Sequence, residues 1–225
     1  MSADTDTEGE RCPLLSDEAD PELATHGGPC DKKFEVGQVT IRLPLSLYLH
    51  PLPLFALGLS FMPWLAPCVL LADIIVHRRP SSMFLLGLLL FCAVLNEWLL
   101  KPLINQPRPL YTACRDERGR PSAGMPSGHA LQWQAQVIWF SLEAIWSLPT
   151  AQGIIEALIL VILASPLVPW ARWYNGDHTL NQVLVSVALA FPITITAFFA
   201  FLHLQGDAPA EATPGGDAIH SLLSH

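Results

Sequence analysis

Residues 82–104 read SMFLLGLLLFCAVLNEWLLKPLI, an apolar stretch whose charged side chains are Glu97 and Lys101. A helix needs about 20 predominantly apolar residues to cross about 30 Å of hydrocarbon. This stretch therefore predicts a membrane-spanning helix. Lys101 lies near its end, where a long side chain can extend to the polar interface. The number of similar stretches in the chain then decides the fold.

Four other segments have a similar length and character. They are residues 53–76, 128–148, 152–171 and 180–203. The chain of 225 residues is 51% hydrophobic and only 14% charged, with a mean hydropathy of +0.38. We expect an all-α polytopic membrane bundle of about five transmembrane helices. Six is the alternative, because the apolar region that starts near Ile41 is long, contains several prolines and has room for a short re-entrant piece.

The two ends of the chain differ from this apolar centre. Residues 1–43 carry many acidic side chains and little hydrophobic periodicity, which predicts a disordered acidic tail. Residues 204–225 are rich in Ala, Pro and Gly and predict a second disordered tail. Residues 44–203 remain as the membrane domain. Within the first tail, residues 10–15 read ERCPLL and resemble an acidic dileucine sorting signal.

Three short polar clusters lie at the edges of the apolar stretches. Residues 101–109 read KPLINQPRP, residues 126–129 read PSGH, and residues 172–178 read RWYNGDH. The order of spans and clusters brings all three to one membrane face. An ionisable group near hydrocarbon is costly unless it has a partner or a water-filled cavity. We therefore expect the clusters to converge on an anion.

The residue types in these clusters suit phosphate. Ser127 and Gly128 are expected at a helix start, where backbone N–H groups lack intrahelical partners and the helix dipole is positive. Lys101, Arg108 and Arg172 supply positive charge, and a guanidinium can hold two phosphate oxygens. Taken singly, each cluster has a simpler explanation, namely a plain serine cap or basic side chains that extend to the interface.

Two histidines suggest a reaction. A neutral imidazole can attack phosphorus and form a phosphohistidine that water then hydrolyses, which is the role expected for His178. His129 would then be the general acid that protonates the leaving oxygen. Gln182, one helical turn after His178, has an amide oxygen that can orient its ring but lacks a full negative charge. Either histidine alone is equally consistent with an interfacial polar residue.

In order and spacing, the three clusters resemble the signature of the type 2 phosphatidic acid phosphatase superfamily. Lys101 is followed after six residues by Arg108 and Pro109, then comes PSGH at 126–129, and Arg172 is followed after five residues by His178. The resemblance covers about residues 80–190.

This resemblance implies a metal-independent lipid phosphatase without a cofactor, built as a helical membrane bundle. It implies His178 as nucleophile and His129 as acid. The phosphate-binding residues that it implies are Lys101, Arg108, Ser127, Gly128 and Arg172. Two positions depart from the usual pattern: Ala171 replaces a Ser, and Gln182 replaces the Asp that orients the nucleophile. The second departure bears directly on the rate.

The run from His178 to Val183, together with Asn96 and Glu97, is similar to the dolichyl-diphosphate phosphatase branch. A polyisoprenoid diphosphate is therefore the expected substrate, and phosphatidate or another lipid phosphate is the alternative. The expected partners are this lipid and the bilayer, with no nucleic acid. The branch implies the endoplasmic reticulum and a lumenal site, whereas the ERCPLL motif favours a cytosolic tail and an endolysosomal membrane.

Gln182 also supports a rival function from another class. A non-catalytic lipid-binding scaffold could keep this fold after losing turnover. The intact His129, His178 and three cations oppose that interpretation, because a relic is expected to lose its histidines. A transporter that passes anions is the third alternative, and it predicts polar residues spread through several spans.

Overall fold

The structure is a computed structural model that describes residues 32–36, 39–43, 51–109 and 122–206. Residues 32–43 contain a two-stranded antiparallel hairpin, with β1 (Lys32–Val36) paired to β2 (Val39–Leu43). This hairpin falls within the segment 1–43 for which we predicted disorder. The alternation of apolar and polar residues in the two strands has the period of two that strands require. The ERCPLL motif and the rest of the first predicted tail lie outside the described residues. Of the second predicted tail, residues 204–206 belong to the last helix and residues 207–225 lie outside the described residues.

Helices follow the hairpin. Their bounds are α1 (Pro51–His77), α2 (Pro80–Val94), α3 (Lys101–Ile104), α4 (Gly128–Ser147), α5 (Thr150–Ile159), α6 (Leu167–Tyr174) and α7 (Leu180–Gly206). A π-helical segment, Leu95–Leu100, joins α2 to α3, and a second one, Leu160–Ala164, precedes α6. A helix is present at each of the five predicted spans. The all-α bundle expected for the membrane region is confirmed.

Among the described residues, four helical segments are long and apolar enough to cross a membrane. They are Pro51–His77, Pro80–Ile104, Thr150–Tyr174 and Leu180–Gly206. The remaining predicted span corresponds to α4, which has 20 residues but contains three glutamines in its first half. Helix α4 contacts α1, α2, α5, α6 and α7. Its polar side chains can therefore bond to other helices: Gln134, for example, accepts a hydrogen bond from Ser165 Oγ at 2.7 Å.

The apolar core lies among α2, α4 and α7. Trp139 of α4 is fully buried and contacts Phe84, Phe198 and Phe201, with ring centroids 5.1–5.7 Å apart. Aromatic contacts at these separations contribute about 0.5–1.5 kcal/mol each beyond the area that they bury. This core fixes α7 against α4 and so sets the position of the polar residues at the other end of both helices.

The chain order brings those polar residues together. Helix α3 ends, α4 begins, α6 ends and α7 begins at the same end of the bundle, as the hydrogen bonds and ion pairs described below establish. The loop after α3 and the loop before α4 also pair with each other, since Pro107 forms an antiparallel bridge with Ala123. All three polar clusters therefore meet in one place.

Candidate active site

Lys101 lies at the junction of the first π-helical segment and α3. Its ammonium pairs with Glu97 Oε1 at 2.5 Å, and Asn96 Nδ2 donates to the same oxygen at 3.1 Å. Lys101 is 7% exposed and Asn96 is 1% exposed. A π-helical turn is a rare local widening that often occurs at functional sites. Here it contains Glu97, which pairs with the lysine, and Asn96, which bonds to Glu97.

Arg108 is positioned by the pairing of two loops. Its backbone N–H donates to Ser122 O at 3.0 Å, and Gly124 N–H donates to Gln106 O at 2.8 Å. A Cβ atom at Gly124 would lie 2.6 Å from Arg108 Cγ. A larger residue would force Arg108 to shift, so Gly124 helps to position Arg108, a contact that was not predicted from sequence. The buried Arg108 side chain is thereby held in the site.

Ser127 precedes α4, but its hydroxyl does not cap the helix. The backbone N–H of Ser127 donates to Ser186 Oγ at 2.6 Å, and Ser186 Oγ donates to Gln182 O at 2.7 Å. The buried Ser127 Oγ has no hydrogen-bond partner among the described residues. The simple explanation of Ser127 as a helix cap therefore does not hold here. Its hydroxyl remains able to bond a bound anion.

Gly128 is required by a neighbouring side chain. A Cβ atom at this position would lie 2.9 Å from Asn96 Nδ2, which is shorter than any ordinary contact. From sequence we expected Gly128 at a helix start, among the residues that bind phosphate. The structure adds a reason for glycine, because Asn96 packs directly against the start of α4.

Arg172 forms an ion pair with Asp177, with 2.8 Å between Nη1 and Oδ2, and both side chains are fully buried. The backbone N–H of Asp177 also donates to Arg172 O at 3.2 Å. We did not predict this ion pair from sequence, although a carboxylate five residues after an arginine in an otherwise apolar region was an available signal for it.

The loop from α6 to α7 is anchored to α1. Asn175 Nδ2 donates to Ser60 Oγ at 3.0 Å, and Ser60 Oγ donates to Ala56 O. Gly176 has a φ of 71°, a left-handed conformation that glycine adopts without steric cost. The loop that holds Asp177 and His178 is therefore fixed from both sides.

His178 lies in this loop and is 1% exposed. Burial, followed by the positive charges of Arg108 and Arg172, holds its pKa well below the ordinary value of 6.5. His129 and Lys101 are also close enough to lower this pKa. The imidazole is therefore neutral at pH 7, the form that a nucleophile requires. Its Nδ1 is buried without a hydrogen-bond partner among the described residues.

Gln182 does not orient His178 in this structure, which corrects the role expected from sequence. Its Oε1 accepts the N–H of Thr179 at 3.2 Å, while Thr179 Oγ1 accepts the N–H of Gln182 at 3.3 Å. This reciprocal pair is the capping box of a helix start. Its Nε2 donates to Pro107 O at 2.8 Å. Gln182 thus caps α7 and fixes the loop that carries Arg108.

His129 is the second residue of α4 and is 8% exposed. Its Nε2 accepts a hydrogen bond from the indole N–H of Trp64 at 2.8 Å. Trp64 belongs to α1 and was not among the predicted site residues. A lone tryptophan in an apolar span has no sequence signal that distinguishes it from a core residue.

The described site contains three cations and the two carboxylates of Glu97 and Asp177 that pair with two of them. With both histidines neutral, a positive charge remains before any anion binds. The charged groups are almost fully buried, except that Glu97 is partly exposed. An arrangement of this kind suits a phosphate group. The structure brings together every predicted site residue and assigns Gln182 a different contact.

A family model described as the PAP2 superfamily matches residues 81–205. The chain belongs to the PAP2 superfamily. Members of this superfamily are phosphatases, which supports a hydrolase that acts on a lipid phosphate in the membrane. No curated protein and no solved structure matches the chain.

Proposed function

We propose that this PAP2 superfamily protein is an integral-membrane, metal-independent lipid phosphatase that works through a phosphohistidine intermediate. The observation that carries the proposal is the neutral, buried imidazole of His178 among Lys101, Arg108 and Arg172. A nucleophile surrounded by cations in a water-poor site favours attack on a phosphate anion, because the charges stabilise the transition state without reorganisation.

The first chemical step transfers the phosphoryl group to the protein. Nε2 of His178 bonds to phosphorus while the bond from phosphorus to the lipid-side oxygen breaks. The protonated His129 gives its proton to that oxygen, so the lipid product leaves neutral at that atom. Lys101, Arg108 and Arg172 hold the non-bridging oxygens, and Ser127 Oγ donates a further hydrogen bond.

The second step releases phosphate. A water molecule attacks phosphorus as the bond to His178 breaks, and the neutral His129 takes the proton of this water. His178 is then free again, and His129 is protonated as it was before the first step; it loses this proton to solvent when phosphate leaves. Neither of these two steps uses a metal or a cofactor.

The proposed substrate is a polyisoprenoid diphosphate of the dolichyl type. Its support is the resemblance at Asn96, Glu97 and Gln182. These three residues contact Gly128, Lys101 and the loop of Arg108, in that order. Phosphatidate is the alternative lipid. The endoplasmic reticulum membrane is the proposed location, in keeping with a dolichyl substrate and a role in protein glycosylation.

One observation favours a second candidate, the non-catalytic lipid-binding scaffold. Nδ1 of His178 has no acceptor among the described residues, and Gln182 is engaged elsewhere. A nucleophilic imidazole that becomes positive gains from an acceptor on its second nitrogen. A protein without that acceptor could bind the phosphate without turning it over.

Phosphate release separates the two candidates. The wild type and His178→Ala, purified in detergent with EDTA, are assayed with dolichyl diphosphate, farnesyl diphosphate and phosphatidate. We expect release by the wild type, the highest rate with dolichyl diphosphate, and a loss of at least about 1,000-fold in the variant. Lipid binding without release from any substrate would establish the scaffold instead. Release that survives the substitution would exclude His178 as nucleophile.

A further inference from the structure

The contact between Trp64 and His129 joins the site to a helix that carries none of the three clusters. The indole nitrogen lies 2.8 Å from His129 Nε2, and the two ring centroids are 6.0 Å apart at an interplanar angle of 59°. Trp64 also lies outside residues 81–205, the segment matched by the superfamily. The proposed general acid is therefore in contact with a residue that no motif includes.

The chemistry of the two rings fixes the proton on His129. An indole nitrogen can only donate a hydrogen bond, so the Nε2 that accepts it carries no proton. The neutral imidazole then has its proton on Nδ1. A protonated imidazole donates from both nitrogens and would direct an N–H toward the N–H of Trp64. The contact with Trp64 and the protonated form of His129 therefore exclude each other.

Trp64 is placed so that it can move. Its side chain is 57% exposed, whereas His129 is 8% exposed. Pro63 and Pro67 lie on either side of it within α1, and neither can donate the backbone hydrogen bond that a helix interior normally contains. The indole can change rotamer without opening the core around Trp139, which lies in a different part of the bundle.

Other charged groups act on His129 as well. The charged and titratable side chains around it come from several elements: Lys101, Arg108, Arg172, His178, and the carboxylates Glu97 and Asp177 that pair with two of the cations. The three cations oppose a positive His129 while the site is empty. A phosphate dianion among them reverses this balance and favours the protonated ring.

We propose that Trp64 is a positioning residue that holds His129 as the neutral Nδ1–H imidazole in the substrate-free enzyme and releases Nε2 before His129 protonates the leaving oxygen. This inference rests on the proposed function, in which His129 is the general acid. Trp64 thereby links substrate binding to protonation of His129, because the bound phosphate favours the protonated form, which the indole cannot contact.

The test compares full-length wild type, Trp64→Phe and Trp146→Phe in detergent. Phe keeps an aromatic ring but removes the donor. Trp146 is a matched control, since it is 42% exposed and lies near the end of α4, whereas His129 lies at the start of that helix. Nitrogen-15 NMR of labelled histidines, with the His129 signals identified by their loss in His129→Gln, reports which ring nitrogen carries the proton.

In the wild type we expect the His129 proton on Nδ1 and an unprotonated, hydrogen-bonded Nε2. In Trp64→Phe we expect the Nε2 signal to change, and in Trp146→Phe we expect the wild-type signal. The alkaline limb of the pH profile of kcat, where the acid loses its proton, should move to higher pH in Trp64→Phe. The rate above that limb should rise about twofold to tenfold, the effect of losing one ordinary hydrogen bond.

A proton on Nε2 of His129 in the wild type would overturn the inference, and this result needs no variant to fold. Identical His129 signals and identical alkaline limbs in the wild type and Trp64→Phe would also overturn it. If the wild type released no phosphate, the NMR comparison would still decide the Trp64 contact, and the failure would fall on the proposed function alone.

Discussion

At the residue scale, Gln182 illustrates how a motif position can acquire a different task. In the superfamily pattern that the sequence resembles, an Asp at this place orients the nucleophile. Here the longer amide both accepts from Thr179 and donates to Pro107 O. A carboxylate could perform only the first of these tasks, because it has no proton to donate at neutral pH. The amide is therefore suited to the contacts that it forms.

We predict that Gln182→Asp will not improve the enzyme. The variant loses the donor to Pro107 O and shortens the side chain, which should cost about 1–3 kcal/mol of stability and loosen the Arg108 loop. Phosphate release and thermal unfolding in detergent are both measured, with Gln205→Asp at the exposed end of α7 as control. Faster release at an unchanged unfolding temperature would mean that a carboxylate here reaches His178 after all.

The same residues indicate how much could be predicted from sequence. Hydropathy and the local order of motif residues predicted the helices and the clustering of His129, His178 and the cations, because both signals depend on positions close in the chain. The partners of those residues could not be predicted in this way. Trp64 lies 65 residues before His129. Such a contact depends on how two helices pack, which no short pattern encodes.

At the scale of elements, the site depends on the pairing of two loops. The segment after α3 and the segment before α4 form backbone hydrogen bonds around Arg108 and Gly124. Gln182, which caps the start of α7, also donates a hydrogen bond to Pro107 O and so fixes the same loop. These contacts hold the Arg108 side chain in position before an anion binds. Little side-chain entropy is therefore lost on binding.

We predict that Gly124→Ala weakens phosphate binding through this loop pair. The new Cβ would lie 2.6 Å from Arg108 Cγ and 3.1 Å from its Cα, so the arginine must shift. Loss of one charge-assisted hydrogen bond should lower kcat/KM about tenfold to a hundredfold and weaken inhibition by vanadate, a mimic of the transferred phosphoryl group.

Gly87→Ala is the matched control, because a Cβ at that position in α2 meets no atom within 4 Å. It should leave kcat/KM unchanged and stabilise the helix by about 0.5–1 kcal/mol. Equal activity of the two variants would contradict the role assigned to the loop pair.

At the scale of the whole molecule, the packing that stabilises the fold and the charged residues of the candidate site lie in different parts of the bundle. The aromatic core of α2, α4 and α7 lies toward one end of the bundle, and the buried charges lie at the other end. Each cation and carboxylate is costly to bury alone, and a pair that loses one partner is strongly destabilised. The apolar packing of the helices must therefore supply the stability that allows the polar site to exist.

We predict that the chain retains its activity when residues 1–31 and 207–225 are removed together. Every site contact described above comes from residues between Ala56 and Ser186, and the helices that position them end by Gly206. Chain termini are among the regions in which truncation is most often tolerated. In detergent, kcat/KM for the preferred lipid and the unfolding temperature should both stay close to the full-length values, within about twofold for kcat/KM.

Deletion of each tail alone is the control for this experiment. A loss of activity above about tenfold in one of them, with unchanged unfolding, would assign that tail a part in substrate binding. If the acidic ERCPLL segment is a sorting signal, removal of residues 1–31 should change the membrane in which the protein resides while leaving the purified enzyme unaffected. The location in cells would then change while turnover in detergent would not, because the first depends on a short sequence motif and the second on the buried charges of the bundle.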